Sequence, residues 1–209
     1  MAKQGSVTAV LLDFDGTLVD LPTDYDEVRR RLAVLFAAQG VHLTFQPLLE
    51  SLRRAEAALS SAGRSDGDVQ NIMQRALDTI TGLELEAVSR SALQEGVIDF
   101  LSAVRERGYR TAIVTNNSRT AVLKAFRRWN LPPPDTIVGR EDVSEHKPNP
   151  APAVLALQRL GVRAKEAILV GNNDRDLRMG RAAGIRTVLV SIRPGPGNVA
   201  KISDLLSII

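Results

Sequence analysis

Two carboxylates one residue apart, Asp13 and Asp15, end an apolar run from Val7 to Leu12 and are followed by Gly16 and Thr17. A short apolar run bounded by turn residues reads as a buried parallel strand. Side chains alternate along a strand, so the two acids point the same way, and Gly16 permits a sharp exit. They are expected to meet at the carboxyl end of a buried strand, where open α/β sheets bind ligands. Carboxylates this close cannot ionise independently: one stays an anionic nucleophile while the other holds a proton to donate. Asp-Gly alone would suit a plain turn whose acid caps and solubilises. The full Asp-x-Asp-Gly-Thr after a buried strand favours catalysis.

Three more stretches carry groups of the right type. Thr115-Asn116-Asn117-Ser118 ends another apolar strand. Hydroxyls, amides and backbone N–H groups at a helix N-terminus suit an anion, although Ser118 alone would serve as an ordinary cap. Lys147 lies in His146-Lys147-Pro148-Asn149-Pro150, where two prolines restrict the loop and fix where the side chain aims. Its ammonium can balance anionic charge as a point charge; the plain alternative is an exposed loop lysine. His146 reads as a loop residue. Gly171-Asn172-Asn173-Asp174-Arg175-Asp176 follows a third apolar strand, and Asp174 there reads as a helix N-terminal acid.

The elements that must position these groups fall into two patterns. After Asp20, a helix is expected with Thr23 as N-cap, acids in its first turn, and Val28, Leu32, Leu35 and Phe36 on one face. A second helix starts at Pro47 and carries Leu48, Leu52, Ala55 and Leu59. A third spans residues 68–81 and stops at Gly82; a fourth covers 84–94. Four helices with no strand between them predict a small bundle. From Gly96 onward, helices and strands alternate: apolar strands at 111–114, 136–138, 167–170 and 185–190, with helices between. Alternation predicts an α/β fold with a doubly wound parallel sheet, a Rossmann-like core. The expected division is a core of residues 1–19 and 95–209 and a helical insertion of residues 20–94. Pro194-Gly195-Pro196-Gly197 reads as a loop within the core.

Composition narrows the chemistry. The 209 residues suffice for one substantial domain and a small one, and 44% hydrophobic with 24% charged residues is an ordinary globular balance. With no cysteine and two histidines, thiolate chemistry and a histidine-rich metal site are excluded. Net charge is +3, and the arginines are scattered among acids, so no nucleic-acid partner is expected. No apolar run reaches membrane-spanning length and no signal peptide is read, so the expectation is a cytoplasmic protein, monomer or homodimer, without a membrane partner.

Asp13-Phe14-Asp15-Gly16-Thr17 resembles the first motif of the haloacid dehalogenase superfamily, mostly magnesium-dependent phosphohydrolases. Ile113-Val114-Thr115-Asn116 is similar to its second motif, and Lys147-Pro148-Asn149-Pro150 matches the third. The motifs occur in order, with the helical insertion where an α-helical cap belongs. The arrangement most resembles the phosphoglycolate-phosphatase-like branch. The resemblance implies that Asp13 attacks phosphorus and becomes an aspartyl-phosphate, with Asp15 as general acid/base. It implies that Thr115, Asn116 and Lys147 hold the phosphoryl group, and that Mg²⁺ is bound by Asp13, Asp15, residue 172 and Asp176. It also implies an insertion that closes over the cleft and selects a small phosphorylated substrate; the insertion carries Arg29, Arg30, Arg31, Arg53, Arg54, Arg64, Arg75 and Arg90.

The fourth motif departs from the family pattern Gly-Asp-x-x-x-Asp, because position 172 is asparagine. Asparagine offers one oxygen to a hard cation but no charge. A unit charge at about 4 Å is worth up to about 4 kcal/mol at an effective dielectric of about 20. Asp174 is the alternative ligand if the loop shifts. A weakened phosphate-binding or regulatory protein of the same fold is therefore a second reading, and a sugar phosphomutase a third. A dehalogenase would lack Asp15, and a phosphonate hydrolase needs a lysine in the insertion, where none occurs between Lys3 and Lys124.

Overall fold

The computed structural model describes residues 7–190 and 198–209. The loop expected at Pro194-Gly195-Pro196-Gly197 lies outside the described residues, as does Lys3. In chain order the elements are β1 (Ala9–Leu12), β2 (Val19–Asp20), α1 (Tyr25–Ala37), α2 (Leu48–Ser61), α3 (Asp66–Val88), β3 (Ala92–Leu93), α4 (Val97–Glu106), β4 (Arg110–Val114), α5 (Arg119–Arg128), β5 (Thr136–Val138), α6 (Ala151–Leu160), β6 (Ala167–Gly171), α7 (Asp174–Ala182), β7 (Arg186–Val190) and β8 (Asn198–Val199). A 3₁₀ turn, Ile202–Ser207, follows β8.

The main sheet runs β5-β4-β1-β6-β7-β8, and every neighbouring pair is parallel. Strand β1 is central and its four residues are fully buried, which is why the sequence there is uninterrupted Ala-Val-Leu-Leu. The chain returns to the sheet as β4 on one side of β1 and as β6 on the other. That reversal opens a crevice at the carboxyl ends of the three strands. On one face, Leu11, Val114, Val138 and Leu169 pack with Ala153 and Leu157 of α6 and Met179 of α7.

Two compact units make up the chain, Met1–Leu21 with Arg90–Ile209, and Pro22–Ser89. The connecting segments pair with each other: Val19 lies opposite Leu93 and Asp20 opposite Ala92 in an antiparallel ladder, and the Gln94 N–H donates to the Leu18 carbonyl. This pairing keeps residues 20, 21 and 90–94 with the sheet unit.

The helical unit differs from expectation in two ways. It holds three helices, not four, because α3 runs unbroken through Gly82. Its buried stripe of Val69, Ile72, Ala76, Ile80, Leu83 and Ala87 stays in phase at spacings of three and four. A glycine costs only about 1 kcal/mol against that burial. The chain after Val88 then forms β3 rather than helix. The N-cap of α1 is Asp24, not Thr23: its carboxylate accepts from the Glu27 N–H. The core of this unit joins Val28, Leu32 and Phe36 to Leu52, Leu59, Ile72 and Ile80, with the Phe36 and Phe45 rings 5.1 Å apart.

Candidate active site

Strand β1 delivers its last backbone bond at Asp13, whose N–H donates to the Val170 carbonyl on β6 at 2.8 Å. The chain then turns sharply. Gly16, at φ 81°, donates its N–H to the Val19 carbonyl. A side chain there would be strained, and a Cβ would sit 1.9 Å from the Asn172 amide nitrogen. The turn brings the Thr17 hydroxyl back to donate to Asp13 Oδ2 at 2.9 Å. Asp15 Oδ1 instead accepts from the Leu21 N–H at 3.1 Å.

Loops after β4, β5 and β6 add the remaining groups. The Lys147 ammonium lies between two carboxylates, 2.6 Å from Asp13 Oδ1 and 2.7 Å from Asp176 Oδ1. Asp13 is 6% exposed, Lys147 7% and Asp176 0%, so this is a buried ion triad with one negative charge in excess. Asp176 reaches it from the first turn of α7, and its other oxygen accepts from the N–H groups of Asn172 and Asn173. The Lys147 N–H donates to Asn116 Oδ1 at 3.1 Å, which fastens the lysine loop to the loop after β4. Thr115 donates its hydroxyl to Asn117 Oδ1 and accepts from the Asn117 N–H. Ser118 caps α5 by accepting from the Ala121 N–H.

Electrostatics follow from burial. Desolvation, only partly offset by the Lys147 ammonium, holds the Asp13 carboxyl above its usual range, and the Asp176 charge adds to the rise. For Lys147, burial pulls downward, but two carboxylates outweigh it and hold the ammonium above its ordinary value. Asp176, contributed by α7 across the crevice, is thus a further carboxylate acting on Asp13. Sequence spacing offered Asp15 as the neighbouring acid; Asp176 joins because the fold brings β1 and α7 together.

Reading the sequence also missed the supports of the lysine loop. Asp142, just after β5, accepts from Arg119 at 2.8 Å, Arg159 at 2.6 Å and the Gly139 N–H at 2.8 Å. Both arginines also donate to the Ile137 carbonyl. One carboxylate thus ties α5, α6 and the end of β5 together, five residues before Lys147. Nothing local marks it, since its partners are 23 and 17 residues away.

The architecture and these motifs have counterparts. The family described as haloacid dehalogenase-like hydrolase matches residues 10–190, which spans both units and every group named above. The chain is a haloacid dehalogenase-like hydrolase. Among relatives, it is 29% identical over 199 residues to the pyrophosphatase PpaX of Bacillus cereus, covering 88% of this chain and 83% of that one. It is 28% identical over 190 residues to the phosphoglycolate phosphatase of Rhodospirillum rubrum, covering 88% and 79%. The solved structure of CbbY from Rhodobacter sphaeroides in complex with phosphate shares the fold, with TM-score 0.63 at 22% identity over 95% of this chain and 96% of that one. The expected α/β class and superfamily are thus those of the protein. Among the described residues, no helix is long and apolar enough to cross a membrane.

Proposed function

We propose that this hydrolase is a metal-dependent phosphatase that takes the phosphoryl group of a small phosphorylated metabolite onto Asp13. The observation that carries the reading is the Lys147 ammonium, buried and shared by Asp13 and Asp176 at the crevice of the sheet. A charge kept there against its desolvation cost is more useful to a reaction than to stability. Pyrophosphate and phosphoglycolate, taken from the names of the relatives, are the first substrates to try.

The steps assign each group one task. An Asp13 carboxylate oxygen forms the bond to phosphorus as the bond from phosphorus to the leaving oxygen breaks. Thr17 and Lys147, each on a different Asp13 oxygen, fix the direction of attack. Asp15 gives its proton to the leaving oxygen, then takes one from the water that attacks phosphorus and frees Asp13. Lys147, Thr115 and the Asn116 loop hold the phosphoryl oxygens.

Two carboxylates that already converge on one positive charge suit a hard divalent cation of the magnesium type, which needs only one or two carboxylates besides substrate and water. Asp13, Asp15 and Asp176 would hold it, and it would supply charge neutralisation at the phosphoryl group. Among the described residues, no three acids or histidines are already grouped as a cation site, so the cation would have to draw Asp13, Asp15 and Asp176 together as it binds. Residue 172 lies at the edge of this set, and its missing charge favours, as a second reading, a protein that binds phosphate with slow turnover.

The test is release of phosphate from p-nitrophenyl phosphate, pyrophosphate and phosphoglycolate with Mg²⁺, together with mass spectrometry of the rapidly quenched enzyme. A phosphoryl adduct on Asp13 is expected. No release from any of the three, with phosphate still bound, favours the second reading; neither binding nor release sinks both.

A further inference from the structure

Asn172 can present either end of its amide to the crevice, and the surrounding hydrogen bonds decide which. The backbone N–H of Arg175 is a donor of fixed identity. It donates to the Asn173 side chain at 2.9 Å, so the atom it meets is Asn173 Oδ1. That bond is the N-cap of α7, and it leaves Asn173 Nδ2 as the other end of the same amide. Asn173 Nδ2 can only donate, and it does so to Asn172 at 2.6 Å, so the atom there is Asn172 Oδ1. The Asn172 oxygen is thereby turned toward Asn173, with one of its two lone pairs taken. Its NH₂ group points the other way, against Gly16, in the space a Cβ would need. Among the described residues, no acceptor meets that NH₂.

The position lies within the site. The Asn172 N–H donates to Asp176, Asp176 accepts from Lys147, and Lys147 donates to Asp13. A cation ligand must offer an oxygen, and the only side-chain oxygen of Asn172 faces Asn173, while the end of the amide against Gly16 is its NH₂. An NH₂ group offers two protons to an anion. We infer that Asn172 is a hydrogen-bond donor to a phosphoryl oxygen of the substrate, held in that orientation by Asn173, and not a ligand to the metal. The inference rests on the phosphatase reading and names a substrate-binding group within it. Sequence reasoning placed residue 172 among the cation ligands, because spacing gives a position and not the direction of an amide.

The experiment is isothermal titration of inorganic phosphate and, separately, of Mg²⁺ into the wild type and three variants. Asn172→Ala removes the donor: phosphate affinity should fall about ten-fold or more, the scale of a lost bond to a charged group, with Mg²⁺ affinity unchanged. Asn173→Asp keeps the cap oxygen for Arg175 but replaces the donor by an oxygen. The Asn172 amide should then rotate, so phosphate binding weakens and Mg²⁺ binding tightens. The added charge at 173 pushes the same way, so the double variant Asn172→Ala with Asn173→Asp isolates it. The Asn173→Asp effect must shrink in that background. Asn173→Ser, a neutral cap, controls for loss of α7 and is followed by circular dichroism. Mg²⁺ affinity that drops in Asn172→Ala while phosphate affinity holds overturns the inference. So does phosphate bound equally by all variants, and the proposed function survives both results. Wild-type protein that neither binds nor releases phosphate overturns the function itself, and this inference with it.

Discussion

The two units handle charge in opposite ways. In the helical unit, ion pairs on α1 are exposed and short-range: Glu27 binds Arg30 and Arg31, and Asp26 binds Arg29, all one turn apart. Its core is almost wholly apolar, with Ser51 and Glu84 the buried polar residues among those described. In the sheet unit, Asp13, Lys147, Asp176 and Arg140 are buried, together with Thr17, Thr115, Asn117 and Ser118. All of them except Lys147 follow closely on a strand end, and Lys147 reaches back to one. Pairs on one helix turn contribute little to stability because water screens them. A buried triad costs desolvation that its own attraction does not fully return. Where a fold accepts that cost, the charge has a use other than holding the fold.

The largest break in this comparison should come from Asp13→Asn. It keeps the shape and the bond to Thr17 but removes the nucleophile. Phosphate release should drop by at least about 10³-fold, with far-ultraviolet circular dichroism unchanged. Turnover near the wild-type rate would falsify attack by Asp13.

Lys147→Met comes next. It leaves two buried carboxylates facing each other without a cation, which should cost about 3–5 kcal/mol of unfolding free energy besides turnover. Urea unfolding measures it; a midpoint shift worth less than about 1 kcal/mol would mean that water or a cation already neutralises the pair.

Two glycines sharpen the contrast. Gly82→Ala lies in open helical space with no atom within 4 Å of the new methyl, so it should stabilise by about 0.5–1 kcal/mol. Gly16→Ala must fit at φ 81° against the Asn172 amide, so it should destabilise by more than that and reduce turnover. Equal responses at the two positions would show that the turn after β1 is not held by this contact.

The smallest effect should come from Glu27→Gln, and it should fade in acid. Arg30 and Arg31 hold the Glu27 carboxyl at about 2, below its ordinary 4.5. A depressed folded value adds stability above pH 4.5 that is lost as pH falls toward 2. The wild type should therefore keep a slightly higher melting temperature than the variant between pH 6 and 8, and the two should converge as pH falls from 4.5 toward 2. A large difference at neutral pH would mean that this surface pair is worth as much as the buried triad.

Local spacing alone determined a good deal. Alternating apolar runs and amphipathic stretches specified the parallel α/β class, because hydrophobic period and strand burial are written residue by residue. Asp13, Asp15 and Gly16 could be placed at a strand end for the same reason. Gly82 misled, since the cost of one glycine is local whereas the stripe that overrides it spans about five turns. The rest was decided by tertiary structure. Asp13 shares Lys147 with Asp176, 163 positions along the chain. Asp142 collects two arginines from two helices, and the direction of the Asn172 amide is set by its neighbour's bond to a helix N-terminus. Charge coupling depends on distances of a few ångströms, and hydrogen bonds on which way a group faces. A linear sequence carries neither until β1, β6 and α7 are packed side by side.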